Sequence, residues 1–334
     1  MSKKTDLKEL FGEILSGHVS ALSKGITLLE SQLETDRIAA QELVQMCLPY
    51  SGKSLRIGIT GAPGVGKSTF IDVLGTELLK TGGKLAVLAI DPSSSISKGS
   101  ILGDKTRMTE LSKNPHAFIR PSPAGTSKGG TARSTREAII LCESAGFDHI
   151  FVETVGVGQS EYSVHDMVDF FLFLIAPSAG DELQGMKRGI MEMADLIIIN
   201  KADSGMIKAA NQTAGQYRNA LQLFPEKKSG WIPKVMTCSA LLLEGIEPII
   251  KTIFQFKNDM LSSGFLKENR SIQNKNWLHD LILLRLQDSF FNLKEIKENL
   301  PKIELELKNN SITTAQAEEK LWKLYSKGFS FEEK

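Results

Sequence analysis

Between residues 61 and 68 the chain reads Gly-Ala-Pro-Gly-Val-Gly-Lys-Ser, a G-x-x-x-x-G-K-S spacing, with Thr69 next. The flanks leave little choice of local fold. Leu55 to Thr60 is a short apolar run rich in β-branched residues, and Phe70 to Lys80 is helix-compatible, which gives strand, glycine loop, helix. Glycines let backbone N–H groups turn inward around an anion with no Cβ in the way, and the helix start adds the positive end of its dipole. Gly61, Ala62, Pro63, Gly64, Val65, Gly66, Lys67, Ser68 and Thr69 are therefore the candidate phosphate-binding residues. Lys67 is suited to reach the β- and γ-phosphates and the Ser68 hydroxyl to ligate Mg²⁺.

Six further short apolar runs follow, at Lys84–Ile90, Ala117–Arg120, His149–Glu153, Phe170–Ile175, Leu196–Asn200 and Val235–Cys238, separated by helix-compatible sequence. Continuous apolar strands alternating with helices predict a mainly parallel sheet covered on both faces. Ligands collect at the carboxyl ends of such strands, so the residues just after each run carry the chemistry.

Asp91 follows one run and can hold Mg²⁺ or cap the next turn; Asp104, in the polar stretch beyond it, is a second candidate for the metal shell. Pro121 to Arg136 is rich in Gly, Ser, Thr and Lys, consistent with close backbone approach to a ligand or with a plain loop. The next run ends in Glu153-Thr154-Val155-Gly156. An acid three residues before a glycine suits γ-phosphate sensing: the carboxylate holds the metal shell while the Gly156 N–H bonds the terminal phosphate and releases it after hydrolysis. Val157 stands where Ras-type proteins carry their water-orienting Gln, and Gln159 could serve only after rearrangement, so slow hydrolysis by the isolated chain is expected. Residues 176–189, with three glycines and mixed charges, read as a switchable loop or a solvated connector.

Asn200-Lys201-Ala202-Asp203 follows a later run. The Asp203 carboxylate can accept from guanine N1–H and the 2-amino group, a donor pair adenine lacks. The Lys201 stem can cover the base plane, Asn200 can tie loops together, and a backbone N–H in Cys238-Ser239-Ala240 can meet guanine O6. The nucleotide this selects is GTP.

A length of 334 residues with a formal charge of +1 allows one large α/β domain with helical additions and supplies no global field for nucleic acid or anionic lipid. No apolar run is long enough to span a bilayer. Asp6, Glu9 and Glu13 near the start are unlike a signal or transit peptide, and a cytoplasmic protein is expected. Cys47, Cys142 and Cys238 are odd in number and far apart, so they are expected to act as small apolar residues. The reading divides the chain into an N-terminal helical extension (1–50), a nucleotide-binding domain (51–268) and a C-terminal helical arm (269–334). In the arm, Leu278, Leu281, Ile282, Leu286, Phe290 and Leu293 form one stripe, Pro301 interrupts, and Leu321, Trp322 and Tyr325 form a second. Such helices cover either the parent domain or a second subunit.

Residues 61–69, Asp91-Pro92-Ser93-Ser94, Gly103-Asp104-Lys105-Thr106-Arg107-Met108, the stretch 153–161 and Asn200-Lys201-Ala202-Asp203 together resemble the methylmalonyl-CoA-mutase-associated GTPases, the MeaB/ArgK type. The resemblance implies a P-loop NTPase fold and a homodimeric, Mg²⁺-dependent GTPase, of the class that also holds nickel-insertion and signal-recognition GTPases. It implies a chaperone that gates adenosylcobalamin delivery from an adenosyltransferase to a B12-dependent acyl-CoA mutase, and that protects or reactivates the mutase. It also implies nucleotide-responsive switches near Asp104, Glu153 and from Gln184 to Lys187. A P-loop kinase is one alternative, disfavoured by the guanine-selecting element. A metal-delivery GTPase is another, disfavoured by five unclustered histidines and cysteines without ligand spacing.

Overall fold

In the computed structural model, residues 3–91, 108–123, 128–154, 160–177, 188–203 and 205–327 are described. Seven strands form one sheet: β1 Leu55–Gly61, β2 Leu85–Asp91, β3 Ala117–Pro123, β4 His149–Thr154, β5 Phe170–Ile175, β6 Leu196–Ile199 and β7 Lys234–Thr237, in the order β3-β2-β4-β1-β5-β6-β7. Every described pairing between these strands is parallel. The strand carrying the phosphate loop is thus central, and all carboxyl ends share one edge.

The helices are α1 Lys3–Leu15, α2 Val19–Glu30, α3 Glu34–Cys47, α4 Lys67–Lys80, α5 Lys128–Ser144, α6 Ser160–His165, α7 Arg188–Met193, α8 Ile207–Leu221, α9 Ile246–Ser262, α10 Phe265–Asn292, α11 Lys294–Lys308 and α12 Thr314–Lys327. None of these is long and apolar enough to cross a membrane.

The apolar strand runs make sense because both faces are covered. In β5, Phe170, Leu172 and Leu174 enter one cluster, built with α4 and α9. Phe171 enters a second, built with α1–α3 and α5, and Phe173 and Ile175 a third, under α8. Alternate side chains leave a strand on opposite faces, so the six-residue apolar run serves one cluster on one face and two on the other. Fully burying each such side chain contributes about 1.5–3 kcal/mol. Cys47, Cys142 and Cys238 are buried free thiols within this packing.

The amino edge is fixed by carboxylates. Asp148, Asp169 and Asp195 each immediately precede a strand, and their carboxylates accept the backbone N–H of Lys84 at 2.8 Å, Arg56 at 2.8 Å and Phe171 at 2.8 Å. Asp169 also receives a fork from Arg270 (Nε to Oδ1 2.7 Å, Nη2 to Oδ2 2.6 Å), and Arg270 donates to the Gly52 and Ser54 carbonyls at 2.6 and 2.5 Å. Glu143 pairs with Arg56 at 2.9 Å and accepts the Gly52 N–H at 2.7 Å.

Two compact units divide the chain, Met1–Ser271 and Ile272–Lys334. In the second, α11 packs on α12, with Phe290 and Tyr325 ring centroids 4.9 Å apart and a Lys320–Glu306 ion pair at 2.6 Å.

Two local expectations need correction. Pro301 does not interrupt: it lies inside α11, where the lost N–H and ring crowding are borne by a helix that continues for seven further residues to Lys308. The Gly-rich stretch from Pro121 is not one loop either. Its first residues extend β3 to Pro123, and Gly129-Gly130-Thr131 lie in the first turns of α5. Prolines 121 and 123 are tolerated because β3 is the sheet's edge, bonded only to β2.

Candidate nucleotide site

β1 ends at Gly61, whose ideal Cβ would lie 2.5 Å from the Leu174 carbonyl of β5. Only glycine lets the chain leave the sheet there without pushing β5 away. Ala62, Pro63 and Gly64 form the exposed tip of the loop, while Val65 tucks into the core beneath it. Gly66 caps α4 with φ +92°, and a Cβ on it would meet Asn200 Nδ2 at 2.8 Å. Helix α4 starts at Lys67 rather than Phe70, so Ser68 and Thr69 lie in its first turn.

The Lys67 side chain bends back over this loop. Its Nζ donates to the Gly61 carbonyl at 2.7 Å and the Ala62 carbonyl at 3.2 Å. Burial lowers its pKa from the ordinary lysine range, against the opposing pull of the Glu153 and Glu161 carboxylates. Both acids are buried. Glu153 is on β4, in register with Ile59 of β1 and Ala89 of β2. Beside it, Thr154 Oγ1 donates to Thr60 Oγ1 at 2.7 Å, joining β4 to β1 just before the loop. Asp91 closes β2 at the same edge.

The second half of the site hangs on Asn200, only 2% exposed. Its Nδ2 donates to the Val65 carbonyl at 2.9 Å, and its Oδ1 accepts the Ala240 N–H at 3.1 Å and the Cys238 thiol at 3.5 Å. One amide therefore ties the phosphate loop to the segment after β7. Burial raises the Cys238 thiol to about 12, so it serves as a protonated donor. Lys201 adopts φ +60° and donates from Nζ to the Gly64 carbonyl at 2.7 Å, laying its stem toward the loop. Ser239 Oγ donates to Asp203 Oδ2 and accepts the Leu242 N–H at 3.1 Å. Main-chain bonds from Ala202 N to Cys238 O (2.9 Å) and from Cys238 N to Ile199 O (2.9 Å) hold the two segments together, and a turn bond from Met206 N to Asp203 O (2.7 Å) sets the chain after Asp203.

Gly61 to Thr69, Asn200, Lys201, Asp203, Ser239 and Ala240 thus share one edge with Glu153 and Asp91. Gly156, Asp104, Gln184 and Lys187 lie outside the described residues. Two groups with no role in the sequence reading stand close to the loop: Glu161, on α6, and the Thr60–Thr154 pair. Glu161 is visible in sequence only as the end of the stretch 153–161, and its burial marks it out. Asp72 of α4 accepts the Leu111 N–H at 2.7 Å and the Glu110 N–H at 3.3 Å, which anchors the chain just after residue 107 to α4.

Among relatives of known name, the chain is 44% identical over 95% of its length to the mouse methylmalonic aciduria type A homolog, mitochondrial, of which it covers 79%. It is 40% identical over 94% of its length to the Escherichia coli GTPase ArgK, covering 95% of that protein. A crystal structure described as an LAO/AO transport system kinase superposes with a TM-score of 0.80 at 34% identity, over 98% of this chain and 99% of that one. The family model for the methylmalonyl Co-A mutase-associated GTPase MeaB matches residues 22–295, and the chain belongs to that family.

Proposed function

We propose that the protein binds GTP with Mg²⁺, hydrolyses it to GDP and phosphate, and uses the cycle as a cytoplasmic chaperone of an adenosylcobalamin-dependent acyl-CoA mutase. In this role it gates transfer of the cofactor from an adenosyltransferase and protects or reactivates the mutase. The observation that carries the nucleotide reading is the Asn200 bridge, which links the Val65 carbonyl of the phosphate loop to the Ala240 amide beside Asp203. Phosphate-binding and base-reading elements are thereby held as one pocket.

A triphosphate entering the loop replaces the Gly61 and Ala62 carbonyls as partners of Lys67, whose charge then stabilises the developing negative charge of the transition state. The donors near the loop fit magnesium. Ser68, Glu153 and Asp91 offer hard oxygens, and among the described residues no three His, Cys, Asp or Glu side chains converge into a cage. Mg²⁺ is commonly held by one or two carboxylates plus substrate phosphates and water. Ser68 would be its direct protein ligand, with Glu153, Asp91 and Asp104 in the surrounding shell; the ion would neutralise charge on the β- and γ-phosphates. Asp203 would accept both guanine donors once it turns from Ser239. Gly156 and the segment from Gln184 to Lys187 would report the γ-phosphate.

The division into extension (1–50), GTPase domain (51–268) and dimerisation arm (269–334) belongs to the same reading. Leu278, Ile282, Leu283 and Leu286 on α10 are exposed, which supports pairing of two copies through the arm. The family name supports the mutase as partner.

A nucleotide panel tests the site. Asp203→Asn should weaken GTP at least tenfold and improve xanthosine triphosphate, whose 2-oxo group asks for a donor. Equal preference for ATP and GTP in the parent, or unchanged selectivity in the variant, would remove the guanine reading. Phosphate transfer from GTP to a small molecule, with no release to water, would favour a kinase. A pull-down with a non-hydrolysable GTP analogue that repeatedly recovers no cobalamin-dependent mutase would remove the chaperone role.

A further inference from the structure

Among the described carboxylates near Lys67, Glu161 is the one whose bonding is incomplete. The residue is 3% exposed, on a helix that packs against both β1 and β4, the two strands that deliver the phosphate loop and Glu153. Its Oε2 is buried and has no hydrogen-bond partner among the described residues. Buried polar atoms are nearly always satisfied, and a buried carboxylate oxygen without a donor is costly. The Lys67 ammonium, on whose charge Glu161 bears, already donates to two loop carbonyls. The arrangement therefore keeps a buried acceptor in reserve on a helix packed against the two strands that carry the phosphate loop and Glu153.

The chemistry of a bound triphosphate narrows what can fill that demand. Phosphate oxygens are themselves acceptors and repel a carboxylate, so the missing donor is a water molecule at the terminal phosphate. Val157 stands where a water-orienting glutamine is expected and has no polar side-chain atom to offer, which leaves that side-chain function open for another residue.

We propose that Glu161 orients the attacking water by accepting a hydrogen bond from it at Oε2, a role that presupposes GTP hydrolysis at this site. The water oxygen forms the new bond to the γ-phosphorus. The bond from γ-phosphorus to the bridging oxygen breaks, and its electron pair stays on GDP. The proton that water sheds goes to a γ-phosphate oxygen, so the products are GDP and dihydrogen phosphate in protonation exchange with solvent. Glu161 ends the cycle in its starting form.

Single-turnover GTP hydrolysis with the full-length chain in excess, at fixed Mg²⁺, tests this in Glu161→Met and Glu161→Gln. Glu161→Met removes the acceptor at similar volume; it should lower the rate ten- to a hundredfold while the Kd for a fluorescent GTP analogue and the thermal midpoint stay close to the parent's. Glu161→Gln keeps an amide oxygen that accepts a hydrogen bond and should recover part of the rate. A Glu161→Met rate within threefold of the parent would overturn the proposal. So would a rate loss that disappears at high Mg²⁺, because Glu161 would then serve a metal-bound water. A rate loss matched by a fall in thermal midpoint, with Glu161→Gln no better than Glu161→Met, would overturn it too and mark a structural role. If the parent itself neither binds nor hydrolyses GTP, the failure belongs to the GTPase reading instead.

Discussion

Arg270→Met puts a number on the amino edge of the sheet. Asp169 has a side chain with no exposed surface, and Arg270 retains 14%. The guanidinium supplies two bonds to that carboxylate and two to the Gly52 and Ser54 carbonyls. Methionine fills similar volume but leaves Asp169 with the Arg56 N–H alone among these bonds. Removing one partner of a buried pair costs about 3–5 kcal/mol, because the remaining charge is buried without compensation. The Gly52 carbonyl adds little, since Gly52 is exposed and water can reach it, whereas Ser54 is buried, so its lost bond pushes the cost towards the upper end of that range. With a urea slope of about 3 kcal/mol per molar, the midpoint should fall by about 1–1.7 M with the slope unchanged. Arg270→Lys keeps the charge but loses the planar fork, and should forfeit about half as much. A deficit below about 1 kcal/mol would show that the network is solvated and the argument wrong.

Acid should destabilise the same edge through His149. Burial, and secondarily Lys257, lower its pKa to about 4 against the opposing pull of Asp148. The folded state thus holds it neutral where the unfolded chain, near 6.5, takes up a proton. The stability this neutral form contributes is complete above about pH 6.5 and is lost progressively down to about pH 4, a total of about 3 kcal/mol. Urea unfolding of the parent and His149→Gln across that window should show the parent with the steeper decline; parallel curves would refute it. Asn200→Ala strands the buried Val65 carbonyl and Ala240 amide, so it should cost about 2–3 kcal/mol of stability and weaken GTP at least tenfold by calorimetry. GTP binding at parental affinity would mean that the two halves of the pocket are held together by something else.

Much of this architecture is legible in the chain because local chemistry and fold agree. The run Phe170-Phe171-Leu172-Phe173-Leu174-Ile175 has no polar face, and both sides of β5 are covered. The spacing from Gly61 to Ser68 fixes strand, loop and helix together. What was not legible depends on neighbours distant in sequence. Pro121 and Pro123 read as loop until β3 is known to be an edge, where a missing donor costs nothing. Pro301 reads as a break because sequence shows the lost hydrogen bond but not the packing that carries the helix through. Glu161 differs from any surface glutamate only by burial against β1 and β4. The aspartates before β4, β5 and β6 had a signal, an acid directly ahead of an apolar run, but its use by the neighbouring strand needs the register.

The two ends of the sheet are built from opposite kinds of bond, and this bears on how a nucleotide could move one end without loosening the other. At the amino edge, Asp148, Asp169 and Asp195 accept main-chain N–H groups of adjacent strands, and Arg270 and Lys227 neutralise two of them. No ligand competes for those bonds, so the strands stay in register. At the carboxyl edge the charged groups hold partners that a nucleotide can replace: Lys67 rests on loop carbonyls, Lys201 on Gly64, and Ser239 on Asp203. In the proposed cycle, exchanging such bonds for phosphate and base contacts would cost little, because each group would trade one hydrogen bond for another. Asn200 is the exception at that edge, buried and bonded to both loops, and it is what keeps the exchange from separating them. A switch of this kind needs a rigid reference and exchangeable contacts on the same strands; seven parallel strands put the first at their amino ends and the second at their carboxyl ends.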